Sequence, residues 1–459
     1  MSHEQFPHLN VVELFAGVGG FRLGLEAVHG SPYVVTLSNQ FEPSANVQHA
    51  SAIYQARWKT GVHLNEDIVK VLASEVGQSA IRNADPDVVV GGFPCQDYSV
   101  AKPLSKSKGL AGTKGTLWWS TAELLRQRIE DGQPVKYLIL ENVDRLLASP
   151  ATSRGRDFAV ILSTLHSLGY SAEWRVINAA DYGCAQRRRR IFIVAYHHTT
   201  DVHRRFEEHA RADKNMSPIQ RTILWKAFPS NSTRPLDGID PALTVGPEPF
   251  DEQLSYRPLS NGKSRFGNCG IMLDGSIWTY NAKTVALENF SAFTGQCAPL
   301  TLGDIVGRTS IVPTAFYVRA EDEARWRAAK GAKKIPRTTE TGYQYEYSEG
   351  AMAFPDALDR PSRTIITSEG GATPSRTKHV ISTIDGRLRR LTPEELEQLN
   401  GFPIGHTFHP KVSDATRAML MGNALVVPLV RRIGEYLYKV HRECAPNESN
   451  PESRPQSSA

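Results

Sequence analysis

Three short apolar runs, "VVELF" (Val11–Phe15), "DVVV" (Asp87–Val90) and "YLIL" (Tyr137–Leu140), constrain this chain more than any other feature. Each is continuous and carries no alternating polar face, so each has to be covered on both sides, as parallel strands between two helix layers are. Helical stretches with stop signals lie between them. "FRLGLEAV" (Phe21–Val28) closes with Gly30 and Pro32, and "LWWSTAELLRQRIEDG" (Leu117–Gly132) ends in glycine. "EWRVINA" and "RIFIVAY" read as a final hairpin around Ile193. Residues 1–196 are therefore expected to form an α/β domain built on a doubly wound, mostly parallel sheet.

From residue 197 to 387 the texture changes. Glycine, asparagine, serine and proline interrupt strand-like pieces such as "GYQYEY" (Gly342–Tyr347) and "RTIITS" (Arg363–Ser368), and only "EDEARWRAAK" (Glu321–Lys330) reads as helix. A second, smaller, mainly β domain is expected there. Over 388–442 regular helix returns: Thr392 caps a helix that Pro393 opens, and Leu425, Leu429, Ile433 and Leu437 form one apolar stripe. The polar, proline-rich stretch 443–459 is expected to be a disordered tail.

A chain of 459 residues exceeds what one hydrophobic core covers and suits two or three domains. No window approaches the ~20 apolar residues of a membrane span, and "MSHEQFPHLN" is not a secretory leader, which reads as a cytoplasmic protein. Its five cysteines are scattered without a CxxC pair, against both a disulfide framework and a structural zinc. With 53 Lys and Arg against 48 Asp and Glu, the chain tolerates an anionic partner without requiring one.

Ligands of open α/β sheets bind outside the carboxyl ends of the strands. Three unusual groups fall there: Ala16-Gly17-Val18-Gly19-Gly20, then Cys95 behind Pro94, then Glu141-Asn142-Val143. The hairpin strand beginning near Gln186–Arg190 runs the other way, which brings its amino end to the same rim. The glycine loop lacks the third glycine of a dinucleotide fingerprint, since Arg22 stands at that position, and it has no phosphate-loop lysine. It fits a nucleoside cofactor without phosphates, such as S-adenosylmethionine, or a plain strand–helix turn. Asp67 and Ile68 offer a carboxylate and an apolar face to an adenine. Cys95 reads either as a small buried hydrophobe or as a nucleophile at a cleft. Glu141 reads as a helix-capping carboxylate or as a working acid able to hold a proton. "QRRRR" (Gln186–Arg190) is a solvated cationic face, or a grip on phosphate or a base carbonyl in which Arg188 and Arg190 share one face.

"ELFAGVGGF", "GGFPCQDYS", "ENV", "QRRRR", "RRLTPEELEQLNGFP" and "MGNALVVP" together resemble, in order and spacing, the motifs of DNA (cytosine-5) methyltransferases. The likeness runs from about Val11 to Ala195 and from about Arg389 to Pro428, and the insert between lies where that family keeps its target recognition domain. The resemblance implies methyl transfer from S-adenosylmethionine to carbon 5 of a flipped-out cytosine in a specific duplex DNA sequence. Cys95 would form the covalent adduct at carbon 6, with Glu141, Arg188 and Arg190 completing the catalytic set. Phe15, Gly17, Gly19, Gly20, Asp67, Ile68, Pro94, Asn423 and Leu425 would line the cofactor site. The family carries an acid where this chain has Gln40, in "SNQFEP", so Glu42 is assigned to the ribose. Gln96, Ser99, Lys102, Gln186, Thr364 and Ile365 would meet DNA, and Arg257, Lys263, Arg265, Arg376 and Lys378 are further cations placed to do so. The stretch Ser99–Thr116 resembles the family's mobile loop. The expected protein is a bacterial monomer without metal or membrane attachment, protecting host DNA alongside a separate cognate restriction endonuclease. The alternatives are the same chemistry on transfer RNA, or a catalytically silent nucleic-acid-binding protein.

Overall fold

The structure, a computed structural model, describes residues 8–93, 116–212, 216–230, 241–246, 256–284, 290–308, 311–338 and 342–444. Ten strands form one mixed sheet: β1 (Leu9–Leu14), β2 (Tyr33–Asn39), β3 (Val62–Leu64), β4 (Val88–Gly91), β5 (Tyr137–Asn142), β6 (Tyr170–Asn178), β7 (Arg189–His197), β8 (Leu243–Thr244), β9 (Cys269–Leu273) and β10 (Ser276–Tyr280). Their order is β3-β2-β1-β4-β5-β7-β6-β9-β10-β8. The pairings from β3 to β5 are parallel, and those from β5 to β8 are antiparallel.

The apolar runs are continuous because successive side chains feed two different cores. Val11, Val88, Val90, Tyr137 and Ile139 pack on one face. Val12, Leu14, Val89, Leu138 and Leu140 pack on the other. The first face is covered by the helices Gly20–Glu26 and Val427–Cys444, the second by Ile68–Ala73, Thr116–Glu130 and Arg156–Ser167. Leu425, Leu429, Ile433 and Leu437 are all buried in the first core, so the end of the chain completes a layer that its beginning opens. Thr392 caps the helix Pro393–Leu399 through a reciprocal pair with Glu395, and Arg389 clamps that carboxylate with two bonds of 2.7 and 2.8 Å. The last helix runs to Cys444, past the expected start of the tail; residues 445–459 lie outside the described set.

The segment 197–387 departs from the expected separate, mainly β unit. Its strands β9, β10 and β8 extend the main sheet instead, with β9 paired along β6 from Ala172↔Met272 to Arg175↔Cys269. The reason is the free edge of β6: its unpaired backbone groups need a partner, and the fully buried run "CGIML" supplies one. Helices Asp201–Ala212, Ile223–Ala227, Ser291–Thr294 and Leu302–Val306 accompany the helix expected over Glu321–Lys330, which runs from Glu323 to Lys330. Several are too short to show periodicity and are fixed by capping: Thr301 and Asp304 form a reciprocal box, and the buried Glu173 accepts the Ile223 and Leu224 N–H groups. Two small hairpins complete the fold, β11 (Lys333–Thr338) with β12 (Gln344–Glu349), and β13 (Val380–Ser382) with β14 (Leu388–Arg390). Among the described residues, no helix is long and apolar enough to cross a membrane.

Candidate active site

Parallel neighbours bring β1, β4 and β5 side by side, so their carboxyl ends share one rim of a cleft of about 1170 Å³. At the end of β1 the chain turns sharply. Phe15 has φ 54°, Gly17 φ 56° and Gly19 φ 83°. A Cβ on Gly19 would lie 2.3 Å from the Trp58 ring, whereas at Gly17 there is open space. Gly17 and Gly20 line the cleft; Gly19 is packed beneath Trp58, away from it. The Gly17 N–H donates to Gln40 Oε1 at 2.7 Å, so the residue standing in the expected ribose position holds the glycine loop in shape. Gln40 and Glu42 both line the cleft; Glu42 is the carboxylate of the two, and its Oε1 accepts the Ser44 hydroxyl at 2.7 Å.

Below the loop, Glu13 is fully buried, accepting from the Tyr54 hydroxyl at 2.8 Å; burial pushes its pKa up to about 7. Asn39, at the end of β2, donates to the Leu64 and Glu66 carbonyls and so fixes the turn that carries Asp67. Asp67 caps the helix Ile68–Ala73 by accepting the Val69 N–H, while Ile68 forms an apolar shelf on the cleft wall.

The second and third groups meet by register. Gly91 pairs with Leu140, so the residues after them run beside each other. A Cβ on Gly92 would sit 3.4 Å from Glu141 Oε2, which shows how closely the strand ends approach. Asn142 donates to the Phe93 carbonyl at 3.2 Å and holds the backbone immediately before Pro94. Pro94, Cys95, Gln96, Ser99 and Lys102 lie outside the described residues, as does nearly all of the Ser99–Thr116 stretch. Glu141 pairs with Arg190 across β5 and β7, Oε1 to Nε at 2.9 Å, with both side chains mostly buried at the cleft floor.

The four arginines divide sharply. Arg190 faces the cleft with Glu141, and Arg189 pairs with Asp144. Arg188 is 1% exposed and donates to the carbonyls of Ile365 (3.1 Å) and Gly422 (3.0 Å) at the cleft wall. Gln186 is fully buried; it accepts the Ile365 N–H at 3.0 Å and donates to Asn400 Oδ1 at 2.8 Å. The expectation that Gln186 meets DNA is therefore corrected: its amide is spent inside the protein. Thr364 donates to the Arg187 carbonyl, and Thr364 and Ile365 line the cleft beside Arg188. Asn423 and Leu425 close the wall from the C-terminal side, Leu425 packing on Gly20.

Of the insert cations, Arg257, Lys263 and Arg265 are exposed. Lys378 is buried, with Nζ bonded to the carbonyls of Gly371 and Thr373, and Arg376 is occupied by backbone carbonyls and Glu349. Lys378 is corrected from a surface contact to an internal fastener; Arg376, tied down in the same way, still lines the cleft. Asn39, Asn142 and Asn400 do positioning work; Asn142 and Asn400 stand within the motifs quoted above, and the sequence reading gives none of the three a role. Among the described residues, His203, Glu207 and Asp274 approach closely enough to hold a cation, outside the cleft.

The family model for C-5 cytosine-specific DNA methylases matches residues 9–246 and 279–439. The type II methyltransferase M.Sau3AI of Staphylococcus aureus is 41% identical over 438 residues, 94% of this chain and 96% of that protein. The type II methylase M.HgiEI of Herpetosiphon aurantiacus is 35% identical over 470 residues, 93% and 96% of the two chains. Among solved structures, the Entamoeba histolytica methyltransferase EhMeth superposes with a TM-score of 0.53 at 14% identity, covering 94% of this chain and 98% of that one, a likeness of fold.

Proposed function

The chain belongs to the C-5 cytosine-specific DNA methylase family and is a DNA methyltransferase of restriction–modification type, and from that premise we propose how its residues divide the reaction. The cleft fits S-adenosylmethionine by its chemistry. Phe15, Ile68 and Leu425 offer apolar surface to an adenine, Glu42 a carboxylate to the ribose hydroxyls, and Asp67 a second carboxylate beside the shelf. The loop at Gly17 leaves open space for close approach and brings no lysine for a phosphate. When bound, the cofactor supplies an electrophilic methyl group on its sulfonium.

Carbon 5 of cytosine is too weak a nucleophile to take that methyl unaided. The Cys95 thiolate would add to carbon 6, breaking the aromaticity and leaving an enamine whose carbon 5 would take the methyl as its bond to the sulfonium breaks, the donor leaving as a neutral thioether. Glu141 holds a proton at ring nitrogen 3, and Arg190, paired to it, keeps its carboxyl oriented toward the base. Arg188 fixes the wall on which the ring carbonyl side rests, with Thr364 and Ile365 beside it. Loss of the carbon 5 proton and expulsion of the thiolate restore the ring. A base inside a duplex is out of reach, so the target swings into the cleft at a cost of a few kcal/mol, offset by pocket contacts. The segment 197–387 carries target recognition although its first strands are part of the catalytic sheet, and the product mark protects host DNA.

The observation that carries this reading is the convergence of Gly17, Glu42, Gly92, Glu141, Arg190 and Asn423 on one cleft. Bisulfite sequencing of DNA from cells expressing the protein, with transfer RNA treated in parallel, should show methylcytosine at one duplex motif. Cys95→Ser should abolish turnover while retaining DNA binding, and Glu141→Gln should slow it at least a hundredfold. Normal turnover of either variant refutes the corresponding role.

A further inference from the structure

One wall of the cleft comes from an element that the sequence does not mark as functional. The hairpin β11–β12 stands outside the main sheet, and its strands are exposed along most of their length. Isolated two-stranded ribbons are marginal in water, so something must hold this one. Arg376 does: it donates to the carbonyls of Gly331, two residues before β11, and Gly350, directly after β12, and pairs with Glu349 at 3.0 Å. The base of the ribbon is thereby pinned at both legs.

Register then decides what the ribbon presents. Ile335↔Tyr347 and Arg337↔Tyr345 are cross-strand pairs and share one face, while Lys334, Pro336, Glu346 and Ser348 share the other. Arg337, Tyr345 and Tyr347 line the same cleft as Glu141. The Arg337 guanidinium lies 4.1 Å from the Tyr347 ring centroid, and among the described residues it makes no hydrogen bond or ion pair. Stacking of this kind orients the planar group and leaves its N–H fork available in the plane of the guanidinium.

We propose that this ribbon is the sequence-reading element, entering the major groove of the target duplex with Arg337 as the residue that recognises a guanine. The inference rests on the methyltransferase reading above and adds to it which element discriminates between sites. A two-stranded ribbon fits the major groove, and an arginine fork matches the O6 and N7 acceptors of guanine in two parallel bonds. A duplex whose cytosine reaches Glu141 lies in this cleft, against this wall. Lys333, on the same face as Arg337, adds a second cation that suits a phosphate-rich partner. Arg376 acts as a positioning residue, because it touches the ribbon's backbone.

The test uses the full-length protein, S-adenosylmethionine and a pool of duplexes with randomised base pairs flanking a cytosine, read by bisulfite sequencing. Wild type should methylate one motif. Arg337→Ala should lose roughly ten- to a hundredfold discrimination at one base pair, with other positions kept and cofactor affinity unchanged. Arg337→Lys, which keeps the charge without the fork, should relax the same position. Uniform loss over all sequences, or a motif unchanged in Arg337→Ala or Arg337→Lys, overturns the assignment of Arg337. Absence of any methylation by wild type would instead defeat the reading on which the inference rests.

Discussion

At the scale of single residues, the cleft is set up by groups that never touch a ligand. Glu13 lies directly under the glycine loop, fully buried, with a pKa near 7 against an ordinary 4.5. Glu173, buried on β6, is raised to about 7 for the same reason, loss of solvation. Below about pH 4.5 both groups are protonated whether the chain is folded or unfolded, and they cost nothing. As pH rises towards 7 the unfolded chain releases these protons while the folded one retains them, so stability falls; above about 7 the penalty is complete and constant. Each contributes about 3 kcal/mol to that fall. Glu13→Gln should therefore narrow the stability difference between pH 5 and pH 8 by about 2.5 kcal/mol, measured by denaturant titration at each pH. An unchanged difference would show that Glu13 stays solvated. Gln40 makes a related point: by taking the Gly17 N–H it preserves the loop at the position where a ribose carboxylate was expected.

Elements from distant parts of the chain meet at one fastening. Residues 185–188, just before β7, lie beside Ser362 to Ile365, with backbone bonds Arg187 N–H to Ser362 and Ser362 N–H to Ala185. Gln186 and Arg188 sew this pairing to the C-terminal helices through Asn400 and Gly422. The run "QRRRR" thus serves two purposes: Gln186 and Arg188, ahead of β7, fasten the cleft wall, and Arg190, within β7, pairs with Glu141. Replacing Gln186 by Leu removes the partner of the Ile365 N–H and of the Asn400 side-chain oxygen, Oδ1. Each such group costs about 1–3 kcal/mol, so Gln186→Leu should destabilise by about 2–6 kcal/mol in equilibrium unfolding. A loss under 0.5 kcal/mol, with DNA affinity reduced instead, would return Gln186 to the DNA surface.

For the molecule as a whole, the cleft is closed by both ends of the sequence: Gly17 and Glu42 from the first strands, Asn423 and Leu425 from the last helices. A cofactor seated there holds those parts together. S-Adenosylmethionine at a hundred times its Kd should raise unfolding stability by about 2.7 kcal/mol. Glu42→Gln should weaken cofactor binding roughly tenfold in calorimetry, by loss of a charge-assisted bond, with the stability of the ligand-free protein unchanged. Unaltered affinity would move the ribose contact away from Glu42.

The continuous apolar runs, the glycine turn and the stripe from Leu425 to Leu437 were legible in the sequence, because burial on two faces and helical periodicity leave local marks. Glu141, Arg190 and Asp67 were picked out by their places at strand ends and turns, Asn423 by the family resemblance, and all four line the cleft. The partner of β6 was not legible, since a free edge can accept any run of suitable length and only packing selects β9. Nor was the separation of Arg188 and Gln186 from Arg190, or the placing of β11–β12 against the cleft, each of which depends on contacts between residues more than a hundred positions apart. Local chemistry thus determined which residues are able to react and which strands must be buried. The tertiary structure decided which cations face the cleft and which hold it shut, because a side chain's partners are set by where distant segments come to rest.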